Sequence, residues 1–467
     1  METTSRVLED SLPKPPANRK RLLSVDIMRG VAIIGVLFVH PMVYGTWRTD
    51  TNALEIVPTP ALITLFPIIV LFTWGGGFTF MSGIVNTYNI FKRTEKGMPF
   101  RRAVAPILLN STFLFLVSPI KGFFFERPSM GNVSSLFTNL YNGWDLPWPD
   151  AERFFRMLIL PTIAVAGFVT VFLLWILFAG NGREKVRRNV IILGTLGVVL
   201  VLINNPLNNW LAPYIELGKA KGGIFWFLAL VLRVFIGEQL TYFPIGLYAI
   251  FGMIGGYLIA MKTDFKTIRK FGFGFGFTFL AAFIINMGFT INNTLKVGGD
   301  IFEVLFSYRI YPRELLFFSL GCMCLIFVLL VKKFEYIPDE KVEAIKNKTK
   351  IVRNFGQVTL TLYVLEAFIN ESIATSFHLM FPPHKVVDWG DKDAFMYSWW
   401  GIILFVITFV GFWQLFVYLW SKIDFKFGFE HLNYALTKKL RKAKSMRDFG
   451  NKHTETQEVI PEKQTAN

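Results

Sequence analysis

The chain has 467 residues, of which 53% are hydrophobic and only 18% are charged, whereas soluble proteins carry about 25% charged residues. Runs without acidic or basic side chains, such as 61–80, 161–179 and 399–420, approach the roughly 20 apolar residues that cross a bilayer. This composition predicts an all-α polytopic membrane protein and excludes a soluble enzyme. Because the runs are solidly apolar rather than alternating, they also exclude a transmembrane β-barrel.

The net charge of +16 has a topological explanation. The basic residues cluster in short loops between apolar runs and in the tail, where the positive-inside rule expects them. We therefore predict the lipid bilayer as a partner and no nucleic acid. Cys322 and Cys324 lie together in one apolar run, which predicts neither a disulfide nor a zinc site.

Apolar length and the bias of basic loops predict ten spans with both termini cytoplasmic, in the plasma membrane. Residues 1–20 form a cytoplasmic N-terminal segment, 21–421 the helical transmembrane domain, and 422–467 a basic, partly disordered tail that begins as an amphipathic helix on the inner leaflet. In chain order the predicted spans are about 23–44, 61–88, 103–120, 157–179, 190–211, 243–261, 273–291, 313–331, 355–377 and 398–420.

One apolar segment does not fit this alternation. Residues 224–236 are too short to span easily, with Arg233 near their end and Glu238 just beyond. A full crossing would place the basic loop after residue 261 outside. The segment is therefore predicted to be re-entrant or interfacial, which requires that protein cover it or that it line a cavity.

The first span carries three ionisable side chains, Asp26, Arg29 and His40, and such groups are costly in a membrane and often functional. Arg29 and His40 lie within about 20° of one helix face and about 16 Å apart along the axis. Asp26 is close enough to Arg29 to pair with it. Histidine titrates near neutral pH and can act as a general base. Headgroup anchoring by Asp26 and Arg29, and a structural role for His40, remain open alternatives.

The same span carries a recognisable motif. The stretch Arg21-Leu-Leu-Ser-Val-Asp26-Ile-Met-Arg29-Gly30, followed by an apolar run to His40, resembles the opening signature of the transmembrane acyltransferase superfamily. That superfamily includes the acyltransferase type-three membrane proteins, the heparan-alpha-glucosaminide N-acetyltransferase-like proteins and the YeiB-like proteins. Arg29 and His40 match the Arg-x10-His pattern of the type-three proteins.

Later segments resemble the same superfamily in the same order along the chain. Glu366 stands three residues after Tyr363, where type-three members often have histidine, and His40 stands where YeiB-like proteins commonly have asparagine. These two departures leave the acceptor substrate open. The similar segments are Phe80-Met-Ser-Gly83, Phe100-Arg-Arg102 with Pro106, Phe355-Gly-Gln-Val-Thr-Leu-Thr-Leu-Tyr363, and Gly428-Phe-Glu-His431 with Leu432.

The resemblance implies transfer of an acyl group, usually acetyl, from cytoplasmic acetyl-CoA to a hydroxyl or amine of a surface or lipid-linked carbohydrate. Acyl-CoA is then a co-substrate, and no bound cofactor or metal is expected. His40 would act as the general base or carry the acyl group itself. Glu366 is a second candidate catalytic residue, expected to face the interior and to bond to His40 or to Arg233.

The remaining candidates would bind the substrates. The planar guanidinium of arginine suits the phosphates of CoA, although Arg101 and Arg102 also serve as topology signals, and Ser82 would hold the thioester carbonyl or simply pack. The candidate binding residues are Asp26, Arg29, Ser82, Arg101, Arg102, Arg233 and Tyr363.

Two other functions fit the same sequence. A transporter would use Arg233, Glu238 and Glu366 to line a path between the helices. A non-catalytic protein of the same fold would retain the helices without the transfer activity. Oligomerisation is left open by the sequence.

Overall fold

A computed structural model describes residues 22–40, 76–125, 135–142, 155–156, 158–236, 240–297, 313–381, 385–389, 392–396 and 399–438. These residues are helical apart from turns and one short hairpin of strands β1 (Lys385–Trp389) and β2 (Lys392–Met396). The helices are α1 (Leu23–His40), α2 (Gly76–Glu95), α3 (Phe100–Phe124), α4 (Leu136–Asn142), α5 (Ile159–Leu177), α6 (Val186–Lys221), α7 (Gly223–Phe235), α8 (Leu247–Ala260), α9 (Phe265–Lys296), α10 (Arg313–Phe334), α11 (Asp339–Lys348), α12 (Lys350–Gln357), α13 (Thr359–Met380) and α14 (Trp399–Ser421).

Eight segments of the described residues are long and apolar enough to cross a membrane. This agrees with a polytopic membrane protein, but it does not confirm the predicted count of ten. The second predicted span is described only from Gly76 onwards, and the apolar part of the ninth, Thr359–Asn370, is short. The eight are Leu23–His40, Phe100–Phe124, Ile159–Leu177, Val186–Lys221, Tyr242–Ala260, Phe265–Lys296, Leu315–Phe334 and Ile403–Ser421.

The centre of the largest core cluster is α8, in which every residue is buried. A helix that is apolar on all sides belongs in the interior. Helix α2 packs along α8 through glycines, since a Cβ atom at Gly83 would lie 2.1 Å from the carbonyl oxygen of Ala249, and one at Gly252 would lie 2.0 Å from that of Phe80. Small residues allow such close approach between membrane helices.

The prediction of one continuous ninth span over residues 355–377 is wrong. The chain breaks at Val358 into α12 and α13. Helix α12 crosses α1 so closely that a Cβ atom at Gly30 would lie 1.9 Å from the carbonyl oxygen of Val352, and one at Gly356 would lie 2.5 Å from that of Asp26. The crossing places the start of α13 beside α1.

Helix α6 is much longer than the predicted span 190–211. Its 36 residues extend about 54 Å, whereas the hydrocarbon core of a bilayer is about 30 Å thick. Helix α7 packs on α6, yet its side chains Ile224, Phe225 and Phe227 are more than half exposed. One side of α7 is therefore exposed and the other, with Ala229, Leu230 and Val234, is buried, and both alternatives, re-entrant and interfacial, stay predictions.

The tail begins with turns, and a helix follows them with one side against the protein. Its predicted place on the inner leaflet stays a prediction. We define the strap as residues 422–438, comprising turns over 422–427 and a helix over 429–438. Thr437 is buried, and Asn433 donates a hydrogen bond to Asn110 on α3. The strap thus folds back against the helices. Residues 439–467 lie outside the described residues.

Candidate functional site

The C-terminal end of α1 meets α13 through a histidine and a glutamate. The imidazole Nδ1 of His40 lies 3.0 Å from Oε1 of Glu366. The Glu366 side chain is 2% exposed, whereas that of His40 is 15% exposed. With Glu366 ionised, the carboxylate only accepts hydrogen bonds, so Nδ1 carries a hydrogen in this contact, and in a neutral ring Nε2 then holds the lone pair. Of the two partners expected for Glu366, the structure selects His40.

A third polar side chain completes what we call the deep cluster, defined as His40, Glu366 and Asn370. Nδ2 of Asn370 donates a hydrogen bond of 2.9 Å to the same Oε1 atom of Glu366. Asn370 is buried, and its Oδ1 atom has no hydrogen-bond partner within the described part of the chain. Two donors therefore converge on one carboxylate oxygen.

A cavity of about 1280 Å³ lies between α1, α2, α3, α5, α12, α13 and the strap. This volume exceeds the roughly 300–1,000 Å³ of ordinary ligand pockets. The polar and charged side chains lining it are Asp26, Arg29, Ser82, Asn86, Tyr88, Asn89, Arg93, Arg102, Asn110, Gln357, Thr359, Tyr363, Asp424, Glu430, His431, Asn433, Tyr434 and Thr437.

Helix α13 connects the cavity to the deep cluster. Tyr363 lines the cavity, and Glu366 and Asn370 follow three and seven residues later, which places all three on one helix face. Glu366 is therefore about one helical turn beyond Tyr363, or about 5 Å along the axis. His40 itself does not line the cavity. The motif on the first span predicts that His40 faces a cavity with Arg29 at its mouth, and this cavity does not meet that prediction, because Arg29 lines it and His40 does not.

At the opposite end of the cavity, the strap is fastened to the N-terminus of α13. The carboxylate of Glu430 accepts hydrogen bonds from the backbone N–H groups of Leu360 and Thr361 and from the Thr361 hydroxyl. That hydroxyl in turn accepts the backbone N–H of Phe429. A carboxylate at a helix N-terminus satisfies donors that lack partners within the helix and complements its dipole.

The charge of Glu430 depends on its surroundings. Burial raises the pKa of this carboxyl above its ordinary value, while the hydrogen bonds from Thr361 and the positive charge of Arg29 act in the opposite direction without offsetting burial. Arg29 and Glu430 also line the same cavity. Of the candidates from the first span, Arg29 therefore belongs to the strap end and His40 to the deep cluster.

The structure separates the other predicted residues into two groups. Asp26, Arg29, Ser82, Arg102 and Tyr363 line the cavity. Ser82 accepts a hydrogen bond of 3.1 Å from Asn86, as a packing serine would. The two predicted binding residues outside the cavity lining are Arg101, which is exposed, and Arg233, which is half-buried on α7. Glu238 lies outside the described residues.

Several polar residues of the site were missed by the sequence. The ammonium of Lys121, buried on α3, lies 4.9 Å from the centre of the Tyr363 ring. A lysine next to an apolar run could have been chosen as a candidate from the sequence. The contact of Lys121 with Tyr363, however, depends on how α3 packs. Glu430 lies in the similar segment Gly428-Phe-Glu-His431 but was not assigned a role, and Arg93 gave no signal because it sits in a basic turn.

The described residues contain no group of three histidine, cysteine, aspartate or glutamate side chains that could hold a metal ion. No protein-family model matches the chain, and no curated protein matches it in sequence at a significant level. The likeness to the transmembrane acyltransferase superfamily therefore remains a prediction from the motifs.

Proposed function

We propose that the protein is a membrane-bound acyltransferase that moves an acyl group from a cytoplasmic acyl-CoA, such as acetyl-CoA, to a hydroxyl or amine of a surface or lipid-linked carbohydrate. The observation that carries this proposal is the His40–Glu366 hydrogen bond, one helical turn beyond a large cavity that contains three arginines. A base held by a carboxylate and placed near a cationic cavity suits this reaction.

The chemistry assigned to the deep cluster is general base catalysis. Nε2 of His40 takes the proton of the acceptor as its oxygen or nitrogen attacks the thioester carbonyl. The carbon–sulfur bond then breaks, and the leaving thiolate receives the proton from the imidazolium. Glu366 holds the ring through Nδ1 and stabilises the imidazolium that forms between these steps, as a carboxylate does in catalytic triads.

The cavity is assigned to the donor. CoA is a polyanion, and Arg29, Arg93 and Arg102 line one cavity, where a guanidinium can bind phosphate oxygens through two parallel hydrogen bonds. In the orientation predicted by the positive-inside rule, these arginines lie at the cytoplasmic side. The thioester end would then extend along α13 past Tyr363 towards His40.

The decisive experiment is transfer of label from [¹⁴C]acetyl-CoA by the protein in lipid nanodiscs, with glucosamine and lipid-linked sugars as acceptors. We expect His40→Ala to lower the rate at least about 10²-fold, since general acid–base catalysis contributes roughly 10²–10⁴-fold.

The matched control is His453→Ala, which alters a histidine in the basic tail and should retain the wild-type rate. Acceptor-independent labelling of the protein that His40→Ala abolishes would identify His40 as an acyl carrier. Unchanged transfer by His40→Ala would contradict the proposal. Binding of acetyl-CoA without transfer to any acceptor would favour a non-catalytic protein, and solute flux without a thioester would favour a transporter.

A further inference from the structure

Asn370 is the one member of the deep cluster to which the proposed chemistry gives no role. Its Nδ2 is committed to Glu366, and this sets the orientation of the amide, because an ionised carboxylate cannot donate to the amide oxygen. Oδ1 of Asn370 therefore points away from Glu366. It is buried, with no hydrogen-bond partner in the part of the chain that the structure describes.

A buried amide oxygen without a partner costs free energy, and native proteins satisfy nearly all such groups. Another buried asparagine of this protein follows that rule. Asn189 on α6 donates to Gly182 and Tyr257 and accepts from Arg188. Oδ1 of Asn433 on the strap shares with Asn370 the lack of a partner among the described residues, and the oxygen of Asn370 differs from it in lying beside His40 and Glu366. A donor hydrogen on a ligand would satisfy it.

The position of that oxygen limits which ligand atom could reach it. Asn370 and His40 both bond to the same Oε1 atom of Glu366, so the amide and the imidazole are close neighbours. His40 is the more exposed member of the pair with Glu366, so a ligand meets the cluster from its side. A group within reach of the imidazole is therefore also near the amide of Asn370.

We propose that Asn370 is a positioning and acceptor-binding residue. Its Nδ2 fixes the carboxylate of Glu366, and its Oδ1 accepts a second hydrogen from the acceptor, beside the one that His40 removes. That second hydrogen belongs either to a primary amine or to a hydroxyl adjacent to the reacting one. This inference about the acceptor rests on the proposed acyl transfer, whereas the positioning of Glu366 does not.

The positioning role is tested without any transfer reaction. In protein labelled with ¹⁵N-histidine and held in nanodiscs, the His40 signal is assigned by its loss in His40→Ala and should report hydrogen on Nδ1. We expect Asn370→Leu, which is close to asparagine in shape, to shift this signal towards the other tautomer or to broaden it. Asn370→Gln, which retains the amide, should recover part of the wild-type signal.

Asn204→Leu is the matched control, because Asn204 is a buried asparagine on α6 away from the deep cluster, and it should leave the His40 signal unchanged. An unchanged signal in folded Asn370→Leu would overturn the positioning role. Insertion and a monodisperse elution profile establish that each variant is folded. If Asn370→Leu does not fold, the comparison of Asn370→Gln with wild type decides the question.

The acceptor-binding role is tested by kinetics with three simple acceptors: cyclohexylamine, trans-1,2-cyclohexanediol and cyclohexanol. Asn370→Leu should lower kcat/KM for all three acceptors through its effect on Glu366, and at least tenfold more for an acceptor with a second hydrogen than for cyclohexanol, with the KM for acetyl-CoA unchanged. Selective loss with the amine or with the diol identifies the source of that hydrogen. Equal loss for all three would overturn acceptor binding, whereas no transfer by wild type would count against the proposed function and leave the NMR result standing.

Discussion

The two ends of the candidate site differ in how their polar groups are arranged. In the deep cluster, three side chains from two helices meet at a single carboxylate oxygen. At the strap end, Arg29, Thr361 and Glu430 come from α1, α13 and the tail, beside a cavity lined by many other polar groups. Both ends share α1 and α13.

This difference separates two tasks that one site must perform. Few, tightly bonded groups in a region of low dielectric favour proton transfer with little reorganisation, whereas several cations around a large cavity favour binding of a polyanion. Each shared helix is also held at its N-terminus by a remote glutamate. Glu335 accepts the backbone N–H and the hydroxyl of Ser24 on α1, as Glu430 does for α13.

The largest effect is expected at the deep cluster. Glu366→Gln removes the charge that stabilises the imidazolium while preserving the shape of the side chain. The equivalent change in a serine protease triad costs about 10⁴-fold, and we expect a loss of at least about 10²-fold in kcat, measured by label transfer. Glu335→Gln, another buried glutamate, should lower thermal stability without changing kcat in the folded fraction. Equal losses of kcat in Glu366→Gln and Glu335→Gln would show that the deep cluster has no catalytic role that a buried structural glutamate lacks.

The second prediction concerns the crossing that joins the two ends. Gly30→Ala would place a methyl group 1.9 Å from the carbonyl oxygen of Val352, so α1 and α12 must separate. Overpacking of this kind costs about 1–3 kcal/mol, visible as a lower unfolding temperature in detergent. Gly274→Ala is the control, because a Cβ there has open space around it and alanine favours helix. An unchanged unfolding temperature of Gly30→Ala would show that α1 and α12 can separate at this crossing without loss of stability.

A smaller effect is expected at the strap end. Arg29→Lys keeps the positive charge but loses the planar pair of donors that binds phosphate. We expect the KM for acetyl-CoA to rise about tenfold, or about 1.4 kcal/mol, with little change in kcat. Arg101→Lys, on an exposed side chain outside the cavity, should leave both constants unchanged. A fall in kcat without a change in KM would instead assign Arg29 a role in the chemical step.

The smallest effect concerns pH. Because the pKa of Glu430 is raised in the folded protein, the folded chain retains this proton to higher pH than the unfolded chain does. The stability that this group contributes therefore falls as pH rises from the ordinary glutamate pKa through the raised one. Relative to the intrinsic, base-catalysed exchange rate of each amide, hydrogen exchange of residues 429–438 should become faster over that window in wild type. It should not do so in Glu430→Gln, which cannot titrate, and equal acceleration in both proteins would assign the effect to another group.

Much of the membrane architecture could be predicted from the sequence. Apolar length located the eight segments that the structure confirms as long enough to cross, because a bilayer demands an uninterrupted apolar run. Helical period also placed Arg29 and His40 on one face. The break at Val358 was not predicted, because neither neighbour, Gln357 or Thr359, is a proline or a glycine. It lies next to the close crossing of α1 and α12 at Gly30 and Gly356.

The sequence alone therefore determined which segments are helical, which are apolar, and which ionisable residues lie within them, since these properties depend on local composition and period. Only the tertiary structure decided that Glu366 bonds to His40, that Asn370 bonds to the same oxygen, and that the tail supplies Glu430 to α13. Those contacts join residues up to 326 positions apart. Contacts over such separations depend on how whole helices pack, which no local pattern specifies.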